Sequence, residues 1–327
     1  MSRKFDIVAI GEAMVEFNQV RNGDGSSYLQ GFGGDTSNAM IAAARQGARC
    51  AYVTRVGDDD FGRLCLDLWR TEGVDASGVG IDATAHTGVY FVRHAPQGHS
   101  FSYLRAGSAA SRMQPADMPE ALLGEAKILH VSGISQAISD GARQAVAHAI
   151  TVARHSGTRV AYDPNLRLAL WPIERAREAI IATMALCDEF LPSLDDLRTV
   201  CGLEAPLDIV AWSHRMGARS VVLKLGERGA LVSDGRRCLA VAPHRVDVVD
   251  ATGAGDCFDG SYLARRFQAK LHKLRADIFG GDPFKDRPAP ASLHRVAGKK
   301  IHLGSHIFLI NNLLAGRLSK TKNICHK

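Results

Sequence analysis

The run Asp250-Ala-Thr-Gly-Ala-Gly-Asp256 leads straight into a helix-like segment. It sets three small-residue amides (Gly253, Ala254, Gly255) and one carboxylate (Asp256) at a single helix mouth. A helix N-terminus carries unpaired N–H donors and a partial positive charge, so phosphate binds there. A carboxylate at the same point is out of place for anion binding alone. It fits if it takes a proton from a hydroxyl while the amides hold the phosphoryl group that this hydroxyl attacks. The plainer alternative is a strand-to-helix turn capped by Asp.

A second glycine block, Gly31-Phe-Gly-Gly-Asp-Thr-Ser-Asn38, precedes an Ala-rich stretch. Gly33 and Gly34 allow the backbone to approach a ligand closely. Asp35 offers an acceptor and Asn38 a donor–acceptor pair suited to sugar hydroxyls. A simple turn before an N-capped helix is the structural alternative. The chain contains no G-x-x-x-x-G-K-[ST] loop, which excludes a P-loop enzyme.

Short apolar runs alternate with amphipathic segments along most of the chain, the pattern of a mostly parallel α/β sheet flanked by helices. Strands are predicted at 7–11, 50–55, 128–132, 159–163, 189–192 and 220–226. Helices are predicted at 37–46, 61–72, 141–155, 174–186, 193–201 and 209–216, with Gly47 and Gly157 placed as helix C-terminal glycines. Segments 14–18, 28–31, 88–93 and 100–105 alternate like exposed antiparallel strands and predict a small β lid over the main sheet.

The 327 residues, 46% hydrophobic and 23% charged, suit one large α/β domain that needs no disulfide or metal staple. Seven scattered cysteines, none spaced C-x-x-C, argue for a reducing compartment and against structural zinc. The N-terminal apolar run is only residues 7–10, a strand rather than a signal peptide, and no stretch reaches membrane-span length. These features predict a cytoplasmic protein with no membrane partner. The net charge of +6 is unevenly spread: residues 268–327 carry twelve Lys and Arg against three Asp, while the preceding 267 residues net −3. The basicity belongs to the tail, so a nucleic-acid footprint on the body is not expected.

Taken together, five ordered motifs resemble the ribokinase-like (PfkB) sugar kinases over residues 5–267. They are Gly33-Gly34-x-x-x-Asn38, Val56-Gly-Asp-Asp-Asp-Phe-Gly62, Asp163-Pro-Asn-Leu-Arg167, Lys224-Leu-Gly226 with Gly229, and Ala251-Thr-Gly-Ala-Gly-Asp256. The resemblance implies transfer of the γ-phosphoryl group of ATP to a primary sugar hydroxyl. Asp256 would be the general base, and the Gly253–Gly255 amides would stabilise the charge on the group in flight. It further implies nucleotide contacts from Ser193, Lys224, Gly226, Gly229, Thr252, Gly253 and Gly255. Magnesium would lie near Asp196, through water because this Asp stands where the family carries a longer Glu. Sugar contacts are implied for Gly33, Gly34, Asp35 and Asn38.

Within the family, Tyr103-Leu-Arg-Ala-Gly-Ser-Ala-Ala-Ser111, His130-Val-Ser-Gly-Ile134 and Arg167 are similar to those of 2-keto-3-deoxygluconate kinases. Arg105 and Arg167 are fork-shaped donors suited to a carboxylate, Tyr90 and Tyr103 offer ring faces and hydroxyls, and Ile134 lines the same place by resemblance. Fructokinase, ribokinase and 5-keto-2-deoxygluconate kinase stand as alternatives, as does a sugar-binding protein of kinase fold with impaired ATP use. Lid strands in this family often pair between protomers, which implies a homo-oligomer. The kinase domain is expected over 1–284, with lid strands within about 12–32 and 88–105. A divergent basic tail is expected at 285–327, where periodicity weakens.

Overall fold

A computed structural model describes residues 3–20, 25–95, 98–244 and 251–266. The expected tail at 285–327 and Asp250 lie outside them. The larger sheet has nine strands, in the order β13-β12-β11-β10-β9-β8-β1-β4-β5. From its middle outward in one direction run β1 (Phe5–Ile10), β4 (Cys50–Gly57) and β5 (Val74–Asp82). In the other run β8 (Ala126–Ser132), β9 (Arg159–Asp163), β10 (Glu189–Phe190), β11 (Val221–Lys224), β12 (Ala230–Ser233) and β13 (Cys238–Val241). All neighbours from β5 to β11 pair in parallel, and β12 and β13 close the far edge antiparallel.

Side chains alternate between the two faces with the two-residue period of a strand. Ile7 and Ala9 of β1 face α1 (Asp35–Arg45), α2 (Asp60–Glu72) and α9 (Ala254–Arg266), in a core with Met40, Trp69 and Leu263. Val8 and Ile10 face the opposite core, built with α5 (Asp140–His155), α6 (Ile173–Met184), α7 (Leu194–Cys201) and α8 (Pro206–Arg215) through Val146, Ile180, Leu197 and Ile209. The short helices α3 (Glu120–Gly124) and α4 (Gly133–Ala137) bracket β8. No described helix is long and apolar enough to cross a membrane.

The expected strands and helices are present within a few residues, and Gly47 and Gly157 follow their helices with φ of 87° and 68°. Three features depart from expectation. The predicted strand at 189–192 is only the two residues of β10. Strand β5 was not anticipated, because its Asp75, Ser77 and Gly78 break the apolar run that marks a buried strand. The lid is a four-stranded sheet in the order β3-β2-β6-β7, from β2 (Met14–Gln19), β3 (Tyr28–Gly33), β6 (Gly88–Ala95) and β7 (Gly98–Leu104), but its central pair β2–β6 is parallel, not antiparallel. The reason is topological: β2 comes after β1 and β6 after β5, and these two core strands point the same way, so both lid strands leave the core in one direction.

Two devices set the location of the candidate site. In an open parallel sheet, ligands bind beyond the carboxyl ends of the strands where the order reverses. Here the reversal lies between β1 and β8, whose ends lead to Glu12 and Gly133. The second device is the packing of α9 on α1. A Cβ on Gly260 would lie 2.0 Å from the Ala39 carbonyl oxygen, so only glycine lets the two helices come this close.

Candidate active site

The close helix packing brings Asn38 of α1 beside Asp256 in the first turn of α9. The Asn38 amide donates to Asp256 Oδ2 at 3.0 Å. Burial, and after it the neighbouring Asp35 carboxylate, pushes Asp256 up to about 6, while the Asn38 amide holds it down. Asp163 also raises it and Lys224 lowers it. Asn38 Oδ1 is buried with no hydrogen-bond partner among the described residues.

Gly253 turns the chain into α9 with φ of 72°. The Ala254 amide is engaged inside this turn by the Ala251 carbonyl at 3.1 Å, so it is not the free donor expected from the sequence. Gly253 and Gly255 show no such backbone acceptor among the described residues. Ala254 and Gly255 are exposed, leaving the turn open.

The first glycine block is equally constrained. Gly34 has φ of 113°, and a Cβ there would lie 2.3 Å from the Glu12 carbonyl oxygen. Gly33 faces the Tyr90 ring, with a Cβ falling 2.5 Å from its hydroxyl. Asp35 next in line accepts from Thr36 N at 2.8 Å and from Asn165 Nδ2 at 3.0 Å. Burial raises its carboxyl. Asn165 itself holds φ of 34°, the one described non-glycine residue in the left-handed region. Gly133 is pressed on Pro164, with a Cβ 1.9 Å from its carbonyl oxygen, which seats half-exposed Ile134 next to the same segment.

Other sequence candidates are placed differently from expectation. Tyr90 is buried and its hydroxyl donates to Glu16 Oε2, so it presents mainly its ring, stacked 5.6 Å from the exposed Tyr103 ring. Arg105 is not an unpaired fork: its guanidinium donates to buried Glu12. Arg167 is exposed, one Nη donating to the Leu166 carbonyl at 2.8 Å. Lys224, the last residue of β11, is held inward. Its ammonium sits 2.9 Å from Asp163 Oδ2 and 2.8 Å from Asp259 Oδ2, beneath the amide turn and 3.7 Å from where a Cβ of Gly255 would be. Burial alone would raise Asp163, but the Lys224 charge takes it below the usual carboxylate value, whereas burial keeps Asp259 well above it. His130 is buried in the same region, and burial lowers it to about 4, so it is neutral.

Ser193 caps α7, its hydroxyl accepting from Asp196 N at 3.1 Å, and burial, then Asp163, raises the Asp196 carboxyl. Gly226 and Gly229 take φ of 61° and 87° around a tight turn closed by Leu225 N to the Gly229 carbonyl at 2.8 Å. Thr252 lies exposed at the start of the α9 turn. The Val56–Gly62 motif is a brace: Asp59 caps α2 through Gly62 N at 2.7 Å and receives both N–H and hydroxyl of Thr87, just before β6.

Sequence reasoning missed Glu12 and Asp259. Each had a signal: Glu12 comes directly after a predicted strand end, and Asp259 is three residues from Asp256, on the same helical face. Together, Arg105, Glu12, Gly34, Asp35, Asn38 and Asp256 form a continuous path from lid to helix mouth. Of the residues that the motifs assign to nucleotide, Lys224 lies 3.7 Å from where a Cβ of Gly255 would be, and Ser193 pairs with Lys224 in a parallel β-bridge.

This arrangement coincides with a match to the pfkB carbohydrate kinases over residues 4–273. The chain belongs to the pfkB family of carbohydrate kinases. Over 267 residues it is 38% identical to the 2-dehydro-3-deoxygluconokinase of Thermoproteus tenax, covering 79% of this chain and 81% of that one. It is 32% identical over 266 residues to the probable fructokinase-4 of Arabidopsis thaliana, with coverages of 79% and 81%. Among solved pfkB-type structures, the PfkB protein from Polaromonas sp. JS666 superposes with a TM-score of 0.74 at 33% identity, covering 80% of this chain and 88% of that chain. A putative ribokinase II from E. coli, in complex with ATP and Mg2+, gives 0.74 at 25% identity, with coverages of 83% and 89%. The pfkB chain described here is therefore a sugar kinase, a phosphotransferase with an alcohol acceptor on a small sugar substrate, built on the expected ribokinase-like α/β sheet with a smaller β lid.

Proposed function

We propose that the protein phosphorylates 2-keto-3-deoxygluconate at a primary hydroxyl, using ATP and Mg2+. The observation that carries the phosphoryl-transfer step is Asp256, partly buried, raised to about 6 and held by Asn38 beside the open Gly253–Gly255 turn. Bound ATP would supply its γ-phosphoryl group and leave as ADP, and Mg2+ would offset the charge of the phosphates. The exposed glycine turn fits a phosphate, and the single carboxylate Asp196 fits a Mg2+ that keeps several waters. Asp256 takes the hydroxyl proton at its free oxygen. Asn38 fixes that oxygen's direction, and the Gly253 and Gly255 amides hold the charge that develops on the transferred group. Gly33, Gly34, Asp35 and the Tyr90 and Tyr103 rings hold the sugar, with Ile134 at its side. Ser193, Thr252, Gly226 and Gly229 line the nucleotide side. The kinase domain is taken as 1–284, with the basic tail at 285–327 outside it and a homo-oligomer as the family resemblance implies.

Support for an acidic sugar comes from Arg105 and Arg167 and from the Thermoproteus tenax relative. A fructokinase-like specificity is the second reading, favoured by the ion pair that already engages Arg105 and by the plant relatives. A coupled assay with ATP across sugar acids and neutral sugars separates them. In it Arg167→Ala should raise KM for the sugar acid roughly tenfold or more while leaving fructose nearly unaffected, the loss of one charge-assisted bond. Equal changes for both sugars would remove the carboxylate role.

The pH profile tests the base. Only ionised Asp256 accepts a proton, so kcat should fall as pH drops through about 6. The groups facing Asp256 are Asn38 and Asp35 from α1, Asp163 from β9 and Lys224 from β11. Asn38→Ala removes the hydrogen bond that favours the ionised form, so the acid limb should move to higher pH. An acid limb that stays in place in this variant would take Asn38 out of the mechanism.

A further inference from the structure

Glu12 lies just past β1 at the point where the strand order of the sheet reverses, and its side chain is only 1% exposed. One carboxylate oxygen accepts from the Arg105 guanidinium, and the other accepts from the Ser108 hydroxyl at 2.7 Å. A Cβ on Gly88 would lie 3.0 Å from Glu12 Oε1, and the Glu12 backbone is pressed by Gly34. The carboxylate is therefore walled in and cannot swing aside. Arg105 directly follows lid strand β7 and is 13% exposed, with its guanidinium 5.7 Å from the Tyr103 ring centre.

Resting on the reading of Arg105 and Arg167 as the carboxylate-recognising pair, we infer that Glu12 sets the preference between acidic and neutral sugars by holding Arg105 in a fixed ion pair. A guanidinium bound to a carboxylate presents no net charge. An incoming sugar carboxylate must share Arg105 donors with Glu12 and feels its repulsion, whereas a sugar hydroxyl meets no such penalty. Asp35 adds negative charge on the same side, and Arg167 opposes it. Glu12 is thus a positioning residue that acts through Arg105 and biases the site against excess negative charge. The chain keeps two arginines near the sugar without becoming a general anion trap.

The test is Glu12→Gln, which keeps shape and hydrogen-bonding atoms and removes the charge. The readout is kcat/KM for 2-keto-3-deoxygluconate divided by kcat/KM for fructose, in wild type and variant. The ratio should rise about tenfold, through KM for the acid, with fructose as the internal reference. An unchanged or lowered ratio overturns the inference. A merely structural loss would depress both sugars alike and leave the ratio where it was. Should Glu12→Gln fail to fold, Glu12→Asp withdraws the carboxylate by one methylene and must shift the ratio the same way by a smaller factor. If wild type turns over no sugar acid, the substrate reading fails by itself. The inference is then decided by inhibition of fructose phosphorylation by gluconate, which must strengthen in the variant.

Discussion

Asp256→Asn should lower kcat by on the order of 10²- to 10⁴-fold while leaving KM for the sugar nearly unchanged. The amide keeps the size of the side chain and still meets Asn38, so the pocket that binds sugar stays formed. What it loses is the ability to accept a proton. The residual rate measures what positioning and the glycine-turn amides achieve without a base, which in phosphoryl transfer is a large share. The residual rate should be nearly flat with pH, because the group responsible for the acid limb is gone, so the deficit against wild type should shrink below about pH 6. A variant with wild-type turnover, or one whose acid limb persists near pH 6, would show that another group takes the proton.

The largest stability effect is expected from Lys224→Met. The ammonium is bonded to two carboxylates, Asp163 and Asp259, which are 7% and 1% exposed, and its own side chain is 12% exposed. Removing the cation strands buried negative charge, a change that costs about 3–5 kcal/mol. At about 2–4 °C per kcal/mol for a large domain, Tm should fall by roughly 10 °C. The pH dependence has a definite sign. Asp163 lies below its ordinary value in the fold, so the stability it contributes is present above that value and is lost as pH falls through the depressed one. The deficit of the variant should therefore be full near neutral pH and shrink in strong acid, where Asp163 is protonated in both proteins. A Tm within about 2 °C of wild type, by thermal melting monitored with circular dichroism, would mean the triad contributes little.

Much of this architecture was readable from residue order because the signals were local. Alternating apolar runs marked the core strands, and glycines after periodic segments marked helix ends. Strand β5 escaped because its polar residues are tolerated at the sheet edge, a matter of position in the sheet that the local pattern does not carry. The lid's parallel pair escaped for a similar reason: direction depends on which core strands the segments leave, not on their own alternation. At the site, residue types were legible and their partners were not. Arg105 and Lys224 both carry free donors on paper. Only the fold shows that their neighbours, Glu12 for one and Asp163 with Asp259 for the other, come from segments more than thirty positions away in sequence.

The missing side chain at Gly260 has a mechanical corollary. With the Ala39 carbonyl in van der Waals reach of that Cα, the two helices bearing Asn38 and Asp256 are locked together like a hinge pin without play. Asp256 and its amide partner Asn38 thus sit on a floor already assembled in the fold, which, under the proposed function, substrate binding does not have to build. On the same reading, discrimination between sugars of different length or charge falls to the lid side, where Tyr90, Tyr103 and Arg105 lie.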